Sequence, residues 1–417
     1  MIKLSRFSLG IGDRFGQEGR AQLAALEEAA LQGTIITPVW NKSYREHSII
    51  HTEPIQARQE ADKAVSAAKW QYPYFVDADH IGLKTVDAFI PYCDFFTIDV
   101  ADYIGTAAED TSIQRCISQF APYLGNLHLP DVQEPAWSIT EETLYQIARK
   151  YLLAVQEAGK IYRHIAEKKR ADTFVTEISM DETDIPQTPA DLFFILGMLA
   201  HEHIPLQTIA PKFTGRFNKG VDYVGNVAQF ELEFNEDISV IAFAVQEFDL
   251  PTNLKLSIHS GSDKFSLYPI IKKAVYTKNA GLHVKTAGTT WLEELIGLAL
   301  TEGAGLTLAK EIYRSAYNRF DELCAPYAAV IDIHKDRLPS PDTVDRWSGA
   351  AFAAALRHVP EETQFNPDFR QLLHVGYKVA AELGNTYYKA LEEYHHIIAH
   401  EVTDNLLQRH IKRIFMP

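Results

Sequence analysis

Cysteine is scarce and scattered: Cys93, Cys116 and Cys324 in 417 residues, with no CxxC pair. That argues against a disulfide framework and a cysteine zinc site, and it fits a reducing compartment. Each reads as a buried small apolar residue rather than a nucleophile. No window approaches the roughly 20 apolar residues of a membrane span. The opening MIKLSRFSLGIGDRFG has no apolar stretch of signal-peptide length. Lysine and arginine are dispersed and the formal net charge is −15, so no nucleic-acid partner is expected. No GxGxxG follows a candidate strand, and there is no P-loop, GxSxG or kinase signature, so dinucleotide, nucleotide and serine-hydrolase chemistry find no support. Linkers rich in Gly, Ser or Pro, internal repeats and low-complexity segments are also missing. The expectation is a soluble, cytoplasmic protein with neither membrane nor nucleic-acid partners.

What is present is apolar: 46% of residues are hydrophobic, enough for one large core. Eight short runs rich in β-branched and aromatic residues recur: RFSLGIGD, GTIITPVW, YPYFVDAD, DFFTIDVAD, TFVTEISM, LQTIAP, LKLSIH and GLHVKTAG. Helical stretches lie between them. GRAQLAALEEAALQG follows the 3.6 period and closes on Gly33, and TPADLFFILGMLAHEH offers Thr188 as a cap with Pro189 in the first turn. This alternation predicts an α/β fold, a (β/α)8 or TIM barrel, with a doubly wound open sheet as the alternative. YAAVIDIHKD competes as a ninth strand for closing the barrel. The span 103–172 is too long for one crossover and reads as a helical insertion. From about Ser340 the chain reads as helices. The expected organisation is a catalytic barrel over 1–339 and a helical C-terminal extension over 340–417 packed on it.

In such a barrel the C-terminal strand ends form the active face. Here they carry Asp13 and Arg14, then Asn41 and Lys42, then Asp77, Asp79 and His80. Asp99 follows, then Glu177 and Asp181, Lys212, His259 running on to Lys264, and finally His283, Lys285 and Thr286. Turns are polar in any protein, but His, Asp, Glu and Lys at nearly every strand end favour a functional reading. His80, Glu177, His259 and His283 are the candidate metal ligands, because imidazole and carboxylate suit Zn, Ni, Mn or Co as a divalent ion. For His283 a hydrogen-bonded barrel histidine is an equally good reading. His395, His396 and His400 read as a solvated helix face. The stretch LKLSIHSGSDKFSLYP joins His259 to a turn at Gly261 and then to Lys264. Lys212, Arg216 and Lys219 share the loop PKFTGRFNKGVDYVGN, a plausible grip for an anionic substrate. Asp13, Asp99, Lys212, Arg216, Lys264 and Lys285 are the candidate substrate-binding residues.

Several of these strings together resemble the tagaturonate epimerase family: PVWNKSYREHSII, FVDADHIGLKTVD, TEISMDETDIPQTPADLFFILGMLAHE, TIAPKFTGRFNKGVDYVGN, SIHSGSDKFSLYP, LHVKTAGTTWLEEL and LLHVGYKVAAELG. The resemblance covers most of the chain. It implies a metal-dependent TIM-barrel epimerase that interconverts the keto-uronates D-tagaturonate and D-fructuronate, with relatives acting on D-fructose and D-tagatose. The inverted carbinol carbon in these sugars lies one position beyond the carbon next to the ketone. Enolisation therefore cannot reach its hydrogen, and retro-aldol cleavage with re-addition is the expected route. Lys42 and Asp79 are the candidate acid–base pair on opposite sides of the substrate. Rival readings are a class II aldolase, a ketose 3-epimerase-like isomerase and a non-catalytic sugar-acid sensor.

Overall fold

A computed structural model describes residues 2–130, 132, 136–183, 185–259, 263–285 and 290–417. Among the described residues ten strands occur in chain order: β1 (Phe7–Ile11), β2 (Thr37–Ser43), β3 (Phe75–Ile81), β4 (Phe95–Asp99), β5 (Gly125–Leu127), β6 (Trp137–Ile139), β7 (Val175–Ser179), β8 (Thr208–Ala210), β9 (Lys255–His259) and β10 (Leu282–Lys285). Eight of them close a parallel barrel in the order β1-β10-β9-β8-β7-β4-β3-β2. These are the eight apolar runs of the sequence. The barrel closes by β10 pairing with β1, Ser8 opposite His283 and Gly10 opposite Lys285. YAAVIDIHKD is not a ninth strand: Ala325–Val330 forms a 3-10 helix.

Side chains alternate between the barrel interior and the helix layer. Val39, Phe75, Phe95 and Val175 fill the lower interior together with Leu4. Two residues further along their strands come Asn41, Asp77, Thr97 and Glu177, with Asn41 opposite Asp77 and Thr97 opposite Glu177, while Asp77 pairs on its other side with Phe95. The interior thus turns from apolar to ionic within one side-chain layer. Gly10 makes room for this, since a Cβ there would lie 2.8 Å from Lys285 Cγ. Any larger residue would push the lysine stem out of the barrel.

The outer helices start where their caps dictate. Thr188 caps Pro189–His201 through a capping box with Asp191, and Pro189 occupies the first turn. Helix Gly19–Leu31 ends just before Gly33, whose φ is +87°. Between β3 and β4 the crossover has only the 3-10 turn Val86–Ala88. The span 103–172 contains the helix Asp110–Phe120, the antiparallel ribbon β5–β6 and the long helix Glu141–Lys168, which packs beside β4 and the helix Pro189–His201. After β10 the chain builds a second apolar cluster from Trp291 to Val402, which also takes in Phe15, Ala21 and Ile50. It then returns to the barrel. Leu406, Leu407, Ile411, Ile414 and Phe415 belong to the barrel's own core, and Tyr276 Oη donates to Phe415 O at 2.5 Å. The three cysteines are buried and unpaired. Among the described residues no helix is long and apolar enough to cross a membrane.

Candidate active site

The centre of the barrel is built around Lys285. Its ammonium donates to Asp77 and Asp79, each at 2.8 Å, and lies 3.0 Å from Glu177. It also donates to Thr97 on β4, directly across the ring. Burial would lower its pKa, but Asp77, Asp79 and Glu177 hold it well above the ordinary lysine value. Glu177 is completely buried. Burial would raise its pKa, yet Lys285 and His259 hold it well below the usual carboxylate range.

Two histidines from opposite strands converge above this floor. His259, the last residue of β9, places Nε2 2.8 Å from Glu177 and Nδ1 3.2 Å from Asp181. On β3 the strand parity that turns Asp79 inward would turn His80 outward. A register shift between Ala78 and Ile81 and a φ of +50° at His80 re-aim that ring. Its Nδ1 then meets Asp99 at 2.9 Å, and the ring stands edge-on to His259 with centroids 5.1 Å apart. A bulge carrying a non-glycine residue at positive φ costs energy and is concentrated at functional sites. Burial lowers His80, but Asp79 and Asp99 raise it well above the normal imidazole value. His259 is lifted to about 9, mainly by Asp181 against burial.

One donor atom each from His80, Asp181 and His259 lies within 4.8 Å of the others, and His80, Asp99 and Glu182 form a second such group. Imidazole nitrogens with carboxylate oxygens are the donor set of a divalent transition metal. Beside them Glu177 Oε2 is buried and has no hydrogen-bond partner among the described residues. This donor set fits a metal ion.

The sequence-predicted residues fall into three groups. Asp79, His80, Asp99, Glu177, His259 and Lys285 meet in this centre. His283 also faces inward but deeper: its Nδ1 lies 2.9 Å from Ser8 Oγ, its ring is against Phe95, and burial lowers its pKa to about 3. It shares no metal-binding group with His80 and His259 among the described residues. Lys212 follows β8, half-buried at the mouth.

The others are engaged elsewhere. Lys42 has the outward parity of β2, beside Trp40, and its ammonium lies 3.9 Å from Glu60 on the helix Pro54–Ala68. Asp13 accepts backbone N–H groups from Phe15 and Gln17 and so shapes its own turn. Lys264 is 1% exposed, and its ammonium donates to the carbonyls of Asn218 and Val221. Arg216 lies on an exposed loop and donates to Ile331 O. Gly261 and Thr286 lie outside the described residues. Asp77 and Asp181 were visible as strand-end acids without a role. Thr97 was hidden in an apolar strand, and strand parity was the signal that could have exposed it.

Residues 1–415 match the family described as UxaE, tagaturonate epimerase. The tagaturonate/fructuronate epimerase of Thermotoga maritima is 28% identical over 425 residues, covering 98% of this chain and 80% of that protein. The native crystal structure of the fructuronate-tagaturonate epimerase from Cohnella laeviribosi superposes with a TM-score of 0.79 at 24% identity, covering 99% of this chain and 82% of that one. Its form with two glycerols gives 0.78 at 24% identity, over 98% and 81%. At that identity the two structures establish a shared fold.

Proposed function

The chain belongs to the tagaturonate epimerase family, and from that premise we propose that it interconverts D-tagaturonate and D-fructuronate with a divalent transition metal held by His80, Asp181 and His259. The observation that carries this reading is the meeting of those three donors above the Asp77–Asp79–Glu177–Lys285 floor. Glu177, with its unpartnered oxygen, is the nearest candidate for a further ligand. A divalent Zn, Ni, Mn or Co ion bound there would supply Lewis acidity toward the ketone oxygen and its neighbouring hydroxyl.

The protein's own groups handle the protons. Asp79 accepts the proton of the hydroxyl on the carbon to be inverted, and Lys285 keeps that carboxylate ionised. The bond between this carbon and the carbon next to the ketone breaks, its electron pair passing into the enolate of the ketone fragment. The other fragment is an aldehyde, which turns its opposite face before the bond re-forms. Its oxygen then needs a proton from the other side of the site. Lys42, facing Glu60 outside the barrel, is poorly placed to give it. Lys212 follows a strand three places around the ring from β3, and we assign the second proton-transfer role to it.

The test is NMR of the product formed from D-tagaturonate, before and after metal depletion. An isomer of unchanged mass that disappears with the metal supports the reading. Smaller fragments released as final products would make the protein an aldolase instead.

A further inference from the structure

A keto-uronate carries a carboxylate at the end of the chain remote from its ketone, so a cation must receive it away from the metal-binding donors. Lys285 is saturated by its carboxylates and Lys264 is sealed under backbone carbonyls. Three other cations converge on a pair of tyrosines that the C-terminal part of the chain lays over the barrel mouth. Arg14 Cζ lies 3.9 Å from the ring centroid of Tyr377. Arg45 Cζ and Lys219 Nζ lie 5.2 and 5.7 Å from the ring centroid of Tyr327. The two hydroxyls are 3.2 Å apart, which ties the rings into one surface. Arg14 is paired with Glu46. Neither Lys219 nor Arg45 has a carboxylate partner within ion-pair distance among the described residues.

The three cations come from three segments that follow barrel strands: the loop after β1, the helix Tyr44–Ile50 after β2, and the loop after β8. We propose that Lys219, with Arg45 and Arg14 around it, is the seat of the substrate carboxylate and makes the site prefer uronates over neutral ketoses. This rests on the keto-uronate reading above. The loop is built to hold the ammonium in place. Lys219 N donates to Val330 O at 2.8 Å, Arg216 and Val224 pair across the loop, and Tyr223 Oη donates to Thr214 O at 2.8 Å. Burial and the charges of Arg14 and Arg45 lower the Lys219 pKa, with Glu182 and Glu46 opposing. Cations crowded in this way gain from an incoming anion. Glu182 also has an oxygen within 4.8 Å of the His80 and Asp99 donor atoms. It therefore links the seat to the metal-binding side of the mouth. A carboxylate is ionised at neutral pH, and Lys219 would meet it as a charge-assisted donor.

The experiment compares Lys219→Met, Lys219→Arg and Arg45→Met with the natural protein. KM and kcat are measured for D-tagaturonate, and the inhibition constant is measured for neutral D-tagatose as a competitor. Lys219→Met should raise KM about tenfold or more, the range expected for losing a hydrogen bond to a charged group, with a smaller fall in kcat. Lys219→Arg should recover most of the loss, and Arg45→Met should show a smaller rise. The D-tagatose constant should stay within about twofold, because that sugar has no carboxylate to lose. An unchanged KM in Lys219→Met overturns the proposal, and so does a D-tagatose constant that rises in parallel. Failure of the epimerase reading looks different: the natural protein would not interconvert the uronates at all.

Discussion

His80 and His259 stand edge to face, 5.1 Å between centroids, although they leave strands on opposite sides of the barrel. The bulge on β3 makes this meeting possible, and Asp181 and Asp99 each hold one of the two rings. If this pair binds the metal, His259→Ala and Asp181→Ala should each lose it in folded protein. His283→Gln should retain a full equivalent, because that ring bonds to Ser8 below the centre. Metal content by mass spectrometry, with circular dichroism as the folding control, reads the difference. Loss of metal in His283→Gln alone would move the site down the barrel.

The contacts of Lys264 lead us to expect a role in stability. Its buried ammonium ties the loop after β9 to the carbonyls of Asn218 and Val221. Lys264→Met should leave those acceptors short of a donor and cost about 1–3 kcal/mol in urea denaturation. Metal content should not change. A variant as stable as the natural protein but with a raised KM would return Lys264 to the substrate.

Asp263 is a buried charge hub. Its Oδ2 accepts a hydrogen bond from Arg370 at 2.9 Å and pairs with His358 Nδ1 at 3.0 Å, and its Oδ1 lies 3.1 Å from His410 Nε2, all nearly inaccessible, which locks the C-terminal helices to the loop after β9. Burial would raise its pKa, but Arg370 and the two histidines hold it well below the ordinary value of 3.8. A lowered folded-state pKa means this contribution is complete above about pH 4–5 and drains away as pH falls. Asp263→Asn, which removes the charge from a buried network, should cost about 3 kcal/mol or more at pH 7. The gap between the two proteins should narrow between pH 5 and pH 3. Parallel stability–pH curves would contradict this role.

The hydrogen on the inverted carbon separates the routes. Cleavage and re-addition keep it on that carbon, as the aldehyde hydrogen of the intermediate. Turnover in deuterated water should therefore leave that position unlabelled by NMR. Deuterium there would replace the retro-aldol route with direct deprotonation and leave the epimerase intact.

All eight barrel strands were legible because each is an apolar run between turn residues, and the strand ends drew attention to Asp79, His80, Glu177, His259 and Lys285. The surroundings of Lys42 and Lys264 were not legible for one physical reason: proximity to a strand end does not say which way a side chain points. Parity sends Lys42 to Glu60, and burial sends Lys264 to backbone carbonyls. The return of Leu406 to Phe415 into the barrel core was hidden because a helix's apolar face does not name its partner. Arg14, Arg45, Lys219, Tyr327 and Tyr377 are far apart in sequence, and only the fold assembles them.

The most direct test of the account is the activity of metal-free protein. The purified chain is stripped with a chelator, shown to be metal-free by mass spectrometry, and incubated with D-tagaturonate while NMR follows D-fructuronate. The account predicts that conversion disappears and returns when Mn, Co, Ni or Zn is added back, and that His259→Ala does not recover. Undiminished conversion by protein verified to be free of metal would contradict it.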